Sequence, residues 1–189
     1  MILLCVACSG KDPGEQESYT DEYTISERAS EQCFRNLISA RVECDLYDCG
    51  WRDKDDCVAA KVKVANALNP TLAVEIRVSA SRALWTVPQV ICNGTLEATS
   101  AAVHLASRMN KIFDASLHRF GPAVSVANTV GDPWLGKLTC PAVVVQGLYI
   151  HNPDQIEWLV KGGMECYGSI IGEAIQSWLK RGNVLNEGR

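Results

Sequence analysis

The chain has 189 residues, 47% hydrophobic and 21% charged, with a formal net charge of −4. That length and apolar content suit one globular domain burying roughly 70% of its unfolded surface. The acidic balance argues against a nucleic-acid polymer as partner, since such proteins carry a basic surface, although a local basic pocket is compatible with it.

The apolar start, Met1 to Cys8, has no basic residues before it and is too short for a secretory leader. No run approaches the roughly 20 apolar residues of a membrane span. The expected location is cytoplasmic, or outside the cell without a classical leader, with no membrane partner. Nine cysteines, at 5, 8, 33, 44, 49, 57, 92, 140 and 166, fall mostly inside apolar or periodic segments. Without a leader they read as reduced core residues rather than a disulfide framework. Cys5 and Cys8 have the spacing of a redox pair but lie within a strand rather than at a helix start, which favours core packing.

Ile2 to Ala7 reads as a first buried strand, followed by a loop, Cys8-Ser9-Gly10-Lys11-Asp12-Pro13-Gly14, whose Gly and Pro supply the turns. Residues 15–21 are polar and read as an exposed loop. Thr24 to Ala40 reads as a helix with a stripe of Ile25, Ala29, Phe34, Leu37 and Ile38. Val42 to Tyr47 is a second strand. Asp53 to Leu68 is a helix with Cys57, Ala60, Val64, Ala65 and Leu68 at three/four spacing, stopped by Asn69-Pro70.

Thr71 to Ser79 alternates, with Leu72, Val74, Ile76 and Val78 on one face and Ala73, Glu75, Arg77 and Ser79 on the other. Two charges on one face of so apolar a strand call for partners, because an unpaired buried charge is costly. Val87 to Cys92 is another strand, Glu97 to Leu117 a long helix, and Ala123 to Ala127 a short strand before a Gly-Asp-Pro-Trp loop. Ala142 to Val145 then runs into Gln146-Gly147, the pattern of a strand buried on both faces with a polar residue at its carboxyl end. Open α/β sheets place their ligands there. Helices over Asp154 to Val160 and Met164 to Lys180 complete the chain. The expected fold is α/β: a single domain over residues 1–181, a mainly parallel twisted sheet with helices on both faces, and a tail over 182–189.

The order of these segments resembles the zinc-dependent N-acetylmuramoyl-L-alanine amidases of the third amidase family, peptidoglycan hydrolases of bacteria and phages. The resemblance covers nearly the whole length. The Cys8 to Gly14 loop is similar to the family's His-Gly-Gly-x-Asp-Pro-Gly. Glu22 matches the metal-binding Glu in spacing to the second strand, and Val64-Ala65-Asn66-Ala67 looks like the family's Ala-Asn helix end. Val74 to Ser79 sits at the Ser-Ile-His-x-Asn strand, and Pro141 to Pro153 resembles the Pro-x-hydrophobic-x-Glu-x-Gly-Phe-x-Ser-Asn-Pro stretch.

The family holds zinc with two histidines and a Glu, and a last-strand Glu acts as general base. Carried over, these positions are Cys8, Glu22, Arg77 and Gln146. Catalytic zinc needs about three protein ligands and an open water position. Cys8 and Glu22 could be ligands, but a guanidinium has no lone pair to donate, and a Gln amide cannot accept water's proton. No intact catalytic set or metal centre is therefore expected, and no cofactor, zinc entering only if the chain is an active amidase.

The expected function is that of a degenerate, non-hydrolytic amidase-fold protein. It would bind a small polar or anionic ligand, a cell-wall fragment or nucleotide-like signal, through Cys8, Ser9, Glu22, Arg77 and Gln146. The alternatives are an active N-acetylmuramoyl-L-alanine amidase, or a structural or protein-binding module. For Arg77 two readings stay open: a structural ion pair with Glu75 or with Glu22, the latter across the former metal site, or a ligand contact. Gln146 is likewise either a satisfied buried amide or a ligand contact.

Overall fold

The apolar run after Met1 becomes β1 (Ile2–Val6), buried at every residue, in a computed structural model that describes residues 1–8, 10, 13–14, 16–17, 20–50, 52–79, 89–116, 124–128 and 132–186. A two-stranded ribbon of β2 (Gln16–Glu17) and β3 (Thr20–Asp21) replaces part of the expected polar loop and leads into α1 (Glu22–Ser39). Asp21 caps α1, its carboxylate accepting from the Thr24 amide at 2.7 Å. Then follow β4 (Cys44–Tyr47), α2 (Lys54–Leu68), β5 (Leu72–Ser79), β6 (Gln89–Cys92), α3 (Leu96–Ser116), β7 (Ser125–Asn128) and β8 (Ala142–Tyr149). The short α4 (Pro153–Trp158), capped by Asn152, passes through a kink at Lys161-Gly162 into α5 (Met164–Asn186). That last helix continues beyond Lys180, where the sequence pattern ends it.

Six strands form one sheet in the order β4-β1-β5-β8-β6-β7. All neighbours are parallel except β6 and β8, which run antiparallel. Helices cover both faces. One core layer sets Ile25, Ala29, Cys33 and Leu37 of α1, Ala98 to Met109 of α3 and Tyr167 to Ile175 of α5 against Leu4, Val74, Ile76, Val143 and Val145. The other sets Ala65 of α2, with Trp134 and Leu135, against Leu3, Cys5, Ala73, Ala142 and Val144. The apolar runs of β1, β5 and β8 are thus read from both sides, as a sheet covered on both faces requires. No helix among the described residues is long and apolar enough to cross a membrane.

Three sequence expectations change. The buried stripe of α2 is Cys57, Lys61 and Ala65, at i, i+4 and i+8, whereas Leu68 is 43% exposed. A Lys therefore occupies a core-facing position, where it meets the buried Glu75 carboxylate. On α1, Ile38 is 47% exposed and the stripe passes through Ser26, Ser30 and Cys33 instead. Finally, Cys49 and Cys57 form a disulfide. The turn at Gly50, whose φ is 63°, carries the chain from the end of β4 to the first turn of α2 and brings the two Cα atoms to 5.4 Å. Cys5, Cys8, Cys33, Cys44, Cys92, Cys140 and Cys166 are free thiols.

Candidate functional site at the carboxyl ends of β5 and β8

Strand β5 carries Glu75 and Arg77 on the α2 side of the sheet, and both find partners. Glu75 is 1% exposed; its Oε2 lies 2.5 Å from Lys61 Nζ, and its Oε1 accepts from Arg77 Nε. Lys61 also donates to the Val6 carbonyl at 3.3 Å. Arg77 Nη1 donates to Asp132 Oδ2 at 2.8 Å. The other oxygen of Asp132 accepts from the amides of Trp134 and Leu135 at 2.9 and 3.0 Å, fixing the loop that carries it.

The result is a chain of four charges, Lys61, Glu75, Arg77 and Asp132, in which positive and negative alternate and cancel. Burial works against the charge on Arg77, but Glu75 and Asp132 outweigh it and raise its pKa further. Burial likewise opposes ionisation of Asp132, while Arg77 and the two backbone amides outweigh it and hold its carboxyl below the usual range. Of the two ion-pair partners expected for Arg77, the structure selects Glu75 and adds Asp132. Lys61 and Asp132, the outer members of the chain, are not marked as partners by the sequence. The available signal was the Lys at the i+4 position between Cys57 and Ala65.

Glu22 sits at the opposite side of the strand ends, at the start of α1. Its Oε2 lies 3.8 Å from Cys8 Sγ. Gly14 makes this approach possible: a Cβ there would lie 2.2 Å from Glu22 Oε2 and 2.9 Å from Cys8 Sγ, and its φ is +78°. Burial pushes the Cys8 thiol up to about 12, and the Glu22 and Glu75 carboxylates push the same way, against Lys61 and Arg77. Such a thiol is a poor nucleophile at neutral pH. Cys8 itself has a φ of 54°, and both sulfurs of the Cys49–Cys57 disulfide lie within 3.3 Å of its carbonyl oxygen. Ser26 of α1 accepts from the Ala7 amide at 2.7 Å and donates to the Ile76 carbonyl at 2.6 Å, tying the ends of β1 and β5 together. Ser9 and Asp12, also singled out from sequence, lie outside the described residues.

Gln146 follows four buried residues of β8 and is half-buried. It is in register with Arg77 on β5 and with Gln89 on β6. Directly paired residues share a face, so Arg77, Gln146 and Gln89 stand in one row across three strands, and Ser125 on β7 extends it. All four are half-buried. The row below, Glu75, Val144 and Ile91, is at the edge of the apolar layer. Immediately past Gln146 the pairing slips, with Ser79 opposite Tyr149. This bulge is stitched by Tyr167 of α5, whose hydroxyl accepts from the Gly147 amide at 2.9 Å and reaches the Arg77 and Val145 carbonyls at 3.2 and 3.4 Å. A side chain at position 147 would collide with Met109 and crowd Tyr167.

As a metal centre the donor set does not fit. Cys8 and Glu22 are adjacent potential ligands, but Arg77 offers no lone pair and is held by two carboxylates, and Gln146 offers only a neutral amide. Among the described residues, no group of three or more His, Cys, Asp or Glu side chains could hold a metal ion. His104 is buried on α3, where burial and the nearby Arg181, Arg108 and Lys111 lower its pKa; His151 precedes α4. A separate apolar cavity of about 410 Å³, lined by Pro153, Ile156, Glu157, Val160 and Lys161, includes none of the sequence-predicted site residues.

No family model matches the chain. No curated protein matches it in sequence. Solved structures do match its fold. The CwlD amidase from Clostridioides difficile, determined in complex with the GerS lipoprotein, superposes with a TM-score of 0.81 at 15% identity, covering 95% of this chain and 98% of its own. The N-acetylmuramoyl-L-alanine amidase AmiC2 of Nostoc punctiforme gives 0.77 at 14% identity, covering 95% and 96%. The catalytic domain of the amidase CwlV from Bacillus (Paenibacillus) polymyxa var. colistinus gives 0.73 at 18% identity, covering 95% and 97%. At these identities the likeness is one of fold, and this chain has the single-domain α/β fold of the N-acetylmuramoyl-L-alanine amidases.

Proposed function

We propose that this protein is a non-hydrolytic member of the amidase fold that binds a small polar ligand at the carboxyl ends of β5 and β8. The observation that carries this reading is the state of Arg77. The family resemblance puts a zinc-binding His at this position, and here a guanidinium is clamped by Glu75 and Asp132. A cation placed beside the family's metal position would repel zinc, and its own nitrogens cannot coordinate it. Gln146, at the position of the general base, cannot take a proton from water. Hydrolysis of the muramoyl–L-alanine amide therefore lacks both the activated water and the group that would deprotonate it. What remains is a row of half-exposed polar side chains at the place where α/β sheets bind ligands.

Metal analysis of tag-free protein, with a muropeptide-cleavage assay, tests the first half. The expected result is zinc well below one per chain and no release of the stem peptide. One tightly held zinc per chain together with cleavage would overturn it. A thermal-shift screen of muropeptides and nucleotides tests the second half, since a ligand that binds only the folded state raises the apparent Tm.

A further inference from the structure

Taking the strand-end row as a ligand site, we propose that Gln146 and Gln89 recognise a neutral ligand through an amide edge, an N–H beside a C=O, rather than an anion. Three observations lead there. First, the two glutamines are directly paired across β6 and β8, on one face, and both are half-exposed. Opposed residues in an antiparallel pair have Cβ atoms about 5 Å apart, close enough for both carboxamides to reach one small molecule. Second, among the described residues neither side chain has a hydrogen-bond partner, although every other charged or amide group placed nearby on β5 is engaged. A carboxamide offers two donors and one acceptor, and rotation about its last bond lets it present them in either order.

Third, the charges that would attract an anion are already used. Lys61 and Arg77 are each matched by a carboxylate, Glu75 and Asp132, and Glu22 adds a further negative charge at the same strand ends. A carboxylate or phosphate would meet no uncommitted cation among the described residues of the row, and would have to displace Asp132 from Arg77. A primary carboxamide or a lactam instead pairs with a glutamine side chain through two antiparallel hydrogen bonds, with no charge to neutralise. Both amide side chains of peptides and pyrimidine bases such as uracil present this edge.

Matched probes distinguish these cases. Isotope-labelled protein is titrated with glutaramide and uracil, and in parallel with their anionic counterparts glutarate and orotate. The expected result is that the neutral probes shift the side-chain NH2 resonances of Gln89 and Gln146, and bind at least about tenfold more tightly than the anions. Gln146→Leu and Gln89→Leu are each expected to weaken the neutral probes about tenfold, the loss of two modest hydrogen bonds. The wild-type shifts make the test independent of how either variant folds. Tighter binding of uracil than of glutaramide would point to a base as the natural source, and the reverse to an amide side chain. Preference for glutarate and orotate, or shifts confined to other residues, would overturn the amide inference while leaving a ligand site in place. No response to these probes or to the muropeptide and nucleotide screen would overturn both readings.

Discussion

Asp132 holds Arg77 with one oxygen and caps the Trp134 and Leu135 amides with the other, so Asp132→Asn can keep the caps while removing the charge. Loss of a charge-assisted bond to a largely buried partner is expected to cost roughly 1–3 kcal/mol at neutral pH, read from denaturant unfolding. The native carboxyl is held below its ordinary value, so its contribution is complete above the unfolded pKa of about 3.9 and fades as pH falls through the lower folded value. The gap between wild type and variant should therefore close below about pH 4. At this scale the sequence exposed half of the network. Glu75 and Arg77 stand out because charges interrupt an apolar alternation. Their partners Lys61 and Asp132 come from an adjacent helix and a distant loop, and whether Arg77 pairs with Glu75 or Glu22 depends on where α1 packs, which no local pattern encodes.

Two contacts between elements carry predictions of their own. The Cys49–Cys57 disulfide closes a loop with a sequence separation of 8, for which chain-entropy reasoning gives roughly 2–3 kcal/mol. Unfolding in the presence of a dithiol reductant, or of the double Cys→Ala variant, should show a loss of that size. Helices α1 and α5 cross at Ala29 and Gly168, where a Cβ on residue 168 would lie 2.1 Å from the Ala29 carbonyl oxygen. A glycine inside a helix normally gains about 1 kcal/mol on change to Ala. Here overpacking, about 1–3 kcal/mol in a tight contact, should reverse the sign, so Gly168→Ala is expected to lower the Tm. Most strands and helices were legible because periods of two and three to four residues report burial directly. The α2 stripe is not legible in the sequence because Ala60, Val64 and Leu68 are as apolar as the true core positions, and only the salt bridge makes Lys61 an inside residue. The disulfide is not legible either, because the proximity of Cys49 and Cys57 depends on the turn at Gly50 and not on any local pattern.

For the molecule as a whole, segment order and hydrophobic pattern were enough to reach the α/β fold. The polar row was only half visible: Gln146 ends an apolar run, but Gln89 is ordinary in its own strand and gains meaning from its antiparallel neighbour. That sheet order also governs how the chain can fold. Strand β8 lies in the interior of the sheet, between β5 and β6, yet it is synthesised after both. Until residues 142–149 leave the ribosome, β1, β4 and β5 form one patch and β6 and β7 another, each with an open edge facing the missing strand. Open edges are templates for wrong pairing, and non-local strand insertion is slow. A chain ending at Thr139 should therefore be insoluble or remain unfolded by far-UV circular dichroism and proteolysis, even though it retains five of the six strands of the sheet, together with α1, α2 and α3. Its cooperative recovery on adding back a peptide spanning β8 to α5 would show that the site strand is also the keystone that joins two half-sheets during synthesis.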